Sequence, residues 1–171
     1  MAADTIKIGE INHYKRMAAF ANPYKQGIEL GLEEINAAGG VLGKPLEFIF
    51  RDDQGKPGEA VKIAEELMTR EGAVMLTGTI LSHVGLAISS YAGKKKHLYL
   101  ASEPLADALV WEKGNKYTFR LRTSTFMQAS MLAEAAAKSP AKKYATIAPN
   151  YAYGKDAVAA FKKALLKLRP D

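Results

Sequence analysis

The feature that most restricts this chain is the alternation of two hydrophobic periods along it. Short runs with the two-residue period of a strand alternate with longer stretches whose apolar residues recur at helical spacing. Strands are expected over residues 5–11, 46–52, 73–77, 98–101, 118–122 and 143–148, and helices over 24–38, 58–70, 86–92, 126–138 and 157–168. Parallel neighbours need crossover helices, so this order implies an α/β fold with a mainly parallel sheet. Ligands of such sheets gather beyond the carboxyl ends of the strands. The loops expected there are 12–23, 53–57, 78–85, 102–107 and 149–154.

A chain of 171 residues suffices for one good-sized domain or slightly more. Hydrophobic residues at 48% and charged residues at 25% match a soluble globular protein, and no apolar run nears the ~20 residues of a membrane span. Residues 1–5 lead straight into the first strand, which suits either a mature exported chain given a new Met or a cytosolic one. The absence of cysteine excludes disulfides, thiolate metal sites and a cysteine nucleophile. The net charge of +6 comes from dispersed clusters: Lys94-Lys95-Lys96 at a helix end, Lys142-Lys143, and Lys162, Lys163 and Lys167 on a late helix. No aromatic-interleaved basic strand accompanies them, so they read as a solvated surface and no nucleic-acid partner is expected.

The stretch from Gly78 to Ile88 places small residues and the hydroxyl of Ser82 where a strand hands over to a helix. The first N–H groups of a helix lack intrahelical partners, so Ser82 serves there either as a cap or as part of an anion site. No Walker loop or Gly-x-Gly-x-x-Gly follows a strand, and Gly39-Gly40 with Gly43 follows a helix, as a turn does. His13, His83 and His97 are far apart; His13 and His83 share the carboxyl-end loops but lack a third ligand for zinc. Asp52-Asp53 suits either Mg²⁺ or a helix cap, with no acidic partner at the end of the first strand. Ser82-His83 lacks the Gly-x-Ser-x-Gly elbow of a hydrolase. The reading is therefore no catalytic residue, no metal and no cofactor. Hydroxyls near helix starts, with Phe20, Tyr151 and Tyr153 beside them, suit a ligand with a carboxylate at one end and an apolar body at the other.

Several segments carry a family resemblance. Gly27-Ile28-Glu29-Leu30, Glu34-Ile35-Asn36-Ala37-Ala38-Gly39-Gly40-Val41-Leu42-Gly43, Arg51-Asp52-Asp53 with Pro57, Gly78-Thr79 with Ser82, and Asn150-Tyr151-Ala152-Tyr153-Gly154 occur in order. Together they resemble the type I periplasmic solute-binding proteins, the leucine/isoleucine/valine-binding kind, over essentially the whole chain. The resemblance implies two Rossmann-like, three-layer lobes that close on a ligand and deliver it to the membrane subunits of an ABC importer. Members are about twice this length, so residues 1–121 are expected to form lobe one and residues 122–171 the beginning of lobe two. One helix, one strand and one helix cannot bury a core alone, so that second unit must pack on the first, on a partner or on further chain.

The resemblance also implies the site. Ser82 matches the serine that takes the ligand carboxylate, within the strand-to-helix segment that includes Thr79, Ile80 and Leu81. Glu103 and Leu105 match positions contributing mostly backbone contacts, Phe20 an aromatic at the mouth, and Tyr153 the tyrosine that covers the ligand from lobe two, beside Asn150 and Tyr151. Glu103 and Leu105 depart from the Ala or Ser and the Thr usual in amino-acid binders. The segments 78–82 and 148–154 look most like the aromatic-acid branch. The expectation is a periplasmic, non-enzymatic binding protein for a benzoate or cinnamate type of acid, its signal peptide removed. The alternatives are a branched-chain amino acid binder and a half-protein that self-associates.

Overall fold

A computed structural model describes residues 5–170. The lead at 1–4, read as running straight into the first strand, and the chain end at 171 lie outside the described residues. Five parallel strands form one sheet: β1 (Ile6–Asn12), β2 (Leu46–Asp52), β3 (Met75–Gly78), β4 (Leu98–Ala101) and β5 (Thr118–Arg120). Their spatial order is β2-β1-β3-β4-β5. Five α-helices accompany them: α1 (Ala18–Ala37), α2 (Pro57–Thr69), α3 (Ser82–Lys95), α4 (Thr125–Ala137) and α5 (Ala152–Leu168). No helix among the described residues is long and apolar enough to cross a membrane.

The strand order places the site. From β1 the chain crosses to β2 on one side, then returns past β1 to β3 on the other. Right-handed crossovers in opposite directions put α1 on one face and α2 and α3 on the other, and they leave a crevice where the direction reverses, outside β1 and β3. The register aligns the carboxyl ends: Asn12 lies beside Asp52, Ile11 beside Gly78, Gly78 beside Ala101, and Ala101 beside Arg120.

The core lies under α2 and α3. Leu67 of α2, Val84 and Ile88 of α3, and Ile11, Leu76 and Tyr99 of the sheet are all fully buried, each aliphatic stabilising the fold by about 1.5–3 kcal/mol. Gly9 makes this packing close: a Cβ there would stand 3.0 Å from Leu67 Cδ1. Helix α1 packs more loosely, with Ile28 and Leu32 half-buried but Leu30 and Ile35 exposed. Its end is fixed by Asn36, whose amide donates to the Leu46 carbonyl and accepts from the Leu46 N–H at 3.0 and 2.8 Å.

Three helices start at least four residues earlier than the sequence pattern suggests. Helix α1 begins before Pro23, so Phe20 sits in its first turn and the preceding loop shrinks to residues 13–17. Helix α3 begins at Ser82 and α5 at Ala152. The expected strand at 143–148 is absent: the segment is irregular, and Ile147 is fully exposed. A strand forms only where a neighbour takes its backbone hydrogen bonds, and among the described residues none runs beside this one. The segment is held at its start instead, where Tyr144 donates to the Ala136 carbonyl at 2.8 Å.

Gly78 ends β3 at φ +104°, where a Cβ would meet the Ile11 carbonyl oxygen at 2.4 Å and Glu10 Oε1 at 2.7 Å. Both the backbone angle and the clash oppose a side chain. Gly78→Ala is expected to destabilise the chain by about 2–4 kcal/mol in urea unfolding; an unchanged midpoint would refute this account of the junction.

Candidate functional site

The site begins with Asn12, the last residue of β1, whose side chain is fully buried. Its Oδ1 accepts the N–H groups of His13 and Ile80 at 2.9 and 3.0 Å, and its Nδ2 donates to Glu103 Oε2 at 2.5 Å. One amide thus joins the loops that follow β1, β3 and β4. Across the junction, Thr79 donates its N–H to the Ile11 carbonyl at 2.7 Å while holding φ at +61°. That angle is costly for a β-branched residue. The bond between its Oγ1 and the Tyr99 hydroxyl, at 2.5 Å, helps hold it there.

Below Asn12, and on the same face of the strand by the two-residue period, lies Glu10. It is fully buried; Oε2 accepts the Tyr14 hydroxyl at 2.5 Å and Oε1 has no hydrogen-bond partner. Burial pushes its carboxyl up to about 8, against the hydrogen bond from Tyr14, with the charges of Glu103 and Asp53 adding to the rise. Burial raises the Glu103 and Asp53 carboxyls too, and pushes the Tyr24 phenol, which shares a 2.8 Å hydrogen bond with Ser102, up to about 12. The rim of the sheet is therefore a layer of buried acids and phenols.

Ser82 is the first residue of α3 and is 1% exposed. It does not cap its own helix: Leu81 occupies the N-cap position, and Ser82 Oγ accepts the N–H groups of Leu105 and Ala106, each at 3.2 Å. With both lone pairs committed, the hydroxyl has only its proton left to offer. Its neighbour His83 turns Nε2 to the Gly55 carbonyl at 3.3 Å, so the adjacent pair forms no nucleophile–base arrangement.

The loop 102–107 also holds the starts of α4 and α5. The Leu105 carbonyl accepts the Thr125 N–H at 2.9 Å. Asp107 accepts from the Thr125 hydroxyl at 2.8 Å and the Phe126 N–H at 3.2 Å, and its own N–H donates to Asp156 at 2.6 Å. This brings the start of α5 over α3. Tyr151 meets the His83 ring edge-on at 5.4 Å, and Tyr153 stands 6.0 Å from Tyr151.

The structure thus gathers Thr79, Ile80, Leu81, Ser82, Glu103, Leu105 and Tyr151 around one junction, with Tyr153 behind Tyr151. Tyr153 is in the first turn of α5 rather than a loop. Asn150 is exposed, and Phe20 is 63% exposed on α1. Sequence reasoning missed Glu10, Asn12, Tyr14, Tyr24 and Tyr99. The one available signal was Glu10, an acid inside an otherwise apolar strand.

Comparison with known proteins gives the family. Residues 5–171 match the family model of the periplasmic binding proteins, and the chain belongs to that family. It is 30% identical over 152 residues to Leu/Ile/Val-binding protein homolog 3 of Brucella melitensis, an alignment covering 88% of this chain and 41% of that protein. Among solved structures it resembles a solute-binding protein of an ABC transporter from Rhodopseudomonas palustris BisB5, in complex with 3,4-dihydroxybenzoic acid. There the TM-score is 0.87 at 25% identity, over 96% of this chain and 45% of that one. An ABC-type branched-chain amino acid transporter protein from Rhodopseudomonas palustris CGA009 is 32% identical, with a TM-score of 0.76, over 95% and 44%. The chain therefore spans less than half the length of these relatives.

Glu10 links this site to pH. Its folded value near 8 lies above the ordinary 4.5, so the native state keeps a proton that the unfolded chain releases. Its contribution is complete below 4.5 and is lost as pH rises through 8. Glu103 and Asp53 move in the same direction. Glu10→Gln is expected to flatten the fall in stability between pH 5 and pH 8 (urea unfolding at the ends of that window), gaining on the order of a few kcal/mol over the unaltered chain at the upper end. Parallel pH profiles for the two proteins would contradict the assignment.

Proposed function

We propose that this chain is the ligand-binding first lobe, residues 1–121, and the opening of the second lobe, residues 122–171, of a periplasmic solute-binding component of an ABC importer. Its ligand in this reading is a small aromatic carboxylate of the benzoate or cinnamate type. The observation that carries the reading is Ser82, a hydroxyl with only its proton free, at the start of α3, beside the His83–Tyr151–Tyr153 rings. A carboxylate accepts that proton in a charge-assisted hydrogen bond, and the aromatic edge suits a ring. The 3,4-dihydroxybenzoate complex of the relative from strain BisB5 supports the same chemistry.

Binding, not turnover, is the activity. A ligand that touches both the α3 start and the tyrosines of the second unit favours the closed arrangement, and importer membrane subunits would then receive the closed form. A second reading, a branched-chain amino acid, draws on the relatives that carry such names and on Glu103, an acid available to an ammonium.

The two readings separate in a backbone amide NMR titration, which detects weak binding. With 4-hydroxybenzoate and 3,4-dihydroxybenzoate the amides of 79–83 and 103–106 are expected to shift, and Ser82→Ala to weaken binding about 10-fold to 100-fold, the loss of one charge-assisted hydrogen bond. Shifts with leucine, isoleucine or valine alone would establish the second reading. No shift with either set would overturn both.

A further inference from the structure

Beside the carboxylate site, at the β1–β2 edge of the same sheet end, is a cluster that the proposed function does not use. His13 follows β1, and Asp52 and Asp53 end β2 and begin the next loop. Register brings them together, because Asn12 pairs with Asp52. His13 Nδ1 lies 3.6 Å from Asp52 Oδ1 and 3.9 Å from Asp53 Oδ1. One ligand atom from each residue falls within 4.8 Å of the others.

Two of these groups are buried and unsatisfied. The His13 side chain is 8% exposed and that of Asp53 is 0% exposed; neither His13 Nδ1 nor Asp53 Oδ2 has a hydrogen-bond partner. Leaving such atoms bare costs about 1–3 kcal/mol each, so they call for an occupant. The spacing suits a cation. Donors bound tetrahedrally at 2.0–2.2 Å stand about 3.3–3.6 Å apart, which the His13–Asp52 pair at 3.6 Å meets and the His13–Asp53 pair at 3.9 Å reaches by small side-chain rotations. The carboxylates are already oriented from behind: Asp52 Oδ1 accepts the Gln54 N–H at 2.8 Å, Asp52 Oδ2 the Lys15 N–H at 3.1 Å, and Asp53 Oδ1 the Gly55 N–H at 2.6 Å. Such outer hydrogen bonds fix metal ligands.

We propose that His13, Asp52 and Asp53 form a binding site for a first-row divalent transition-metal cation of zinc's chemistry. One imidazole and two carboxylates favour zinc over calcium or magnesium, which take oxygen ligands. Three protein ligands leave a fourth position for water. The cation would neutralise two adjacent acids and clamp the loop after β1 to the loop after β2. In sequence the two aspartates lacked a partner because an acid was sought at the end of strand one; the fold supplies a histidine instead.

The test uses Co²⁺ as a spectroscopic probe and Zn²⁺ as competitor on the purified chain. The expected result is a visible Co²⁺ absorption band of tetrahedral character, abolished by one equivalent of Zn²⁺. His13→Gln and Asp53→Asn should each weaken Zn²⁺ binding about 10-fold or more by calorimetry. His97→Gln, at the start of β4, should leave it unchanged. Because Asp53 is buried, circular dichroism of each variant without metal accompanies the titration. A long-range ¹⁵N–¹H spectrum of the imidazoles in the unaltered chain gives an answer independent of the variants: Zn²⁺ should move His13 Nδ1 and leave His97 in place. No Co²⁺ band, binding indifferent to His13→Gln, or a stationary His13 resonance would each overturn the proposal and leave a contact between the two loops as the cluster's role.

Discussion

The site depends on the side chain of Asn12. A buried primary amide has to satisfy two donors and an oxygen, and here these reach three loops at once: the His13 and Ile80 N–H groups on one side, Glu103 on the other. Without it, the loops after β1, β3 and β4 would each leave polar groups facing a dry junction. Because the amide sits at the reversal of strand order, the same bonds that hold the sheet's end together also shape the crevice.

The layer around it follows the same logic of burial. Glu10 pairs with Tyr14, Thr79 with Tyr99, and Tyr24 with Ser102 in short polar contacts. In that setting an acid is more stable neutral than charged, and burial pushes the Glu10 carboxyl up to about 8. Such a layer sacrifices stability that an apolar one would supply, and it gains hydrogen-bonding groups at the place where a ligand would arrive. The strained angle of Thr79 belongs to the same trade.

Helices α4 and α5 meet the rest of the chain through polar contacts and through the Trp111 and Phe126 rings, which stand edge-on at 5.7 Å. Asp107 caps the start of α4 and its N–H is held by Asp156 of α5, while Arg120 donates to the Leu105 and Ala106 carbonyls from the end of β5. The far side of the two helices is different: Leu132, Tyr144, Ile147, Pro149, Tyr153 and Phe161 line an open groove of about 310 Å³.

Hydrophobic period and chain order determined the α/β class, the parallel sheet, the first five strands and the loops that meet at its carboxyl end. These are local quantities, set by two-residue and 3.6-residue repeats. Helix starts were less legible: α1 runs through Pro23, its sixth residue, although a proline there forfeits the hydrogen bond to the Ala19 carbonyl, and α3 begins at Ser82 without a side-chain cap. Only the tertiary structure decided that Ser82 accepts from residues 105 and 106, that Asn12 reaches Glu103, 91 residues away, and that His13 faces Asp52 and Asp53. It also decided that residues 143–148 form no strand, because a strand exists only with a neighbour, and neighbours are a property of the fold and not of the segment.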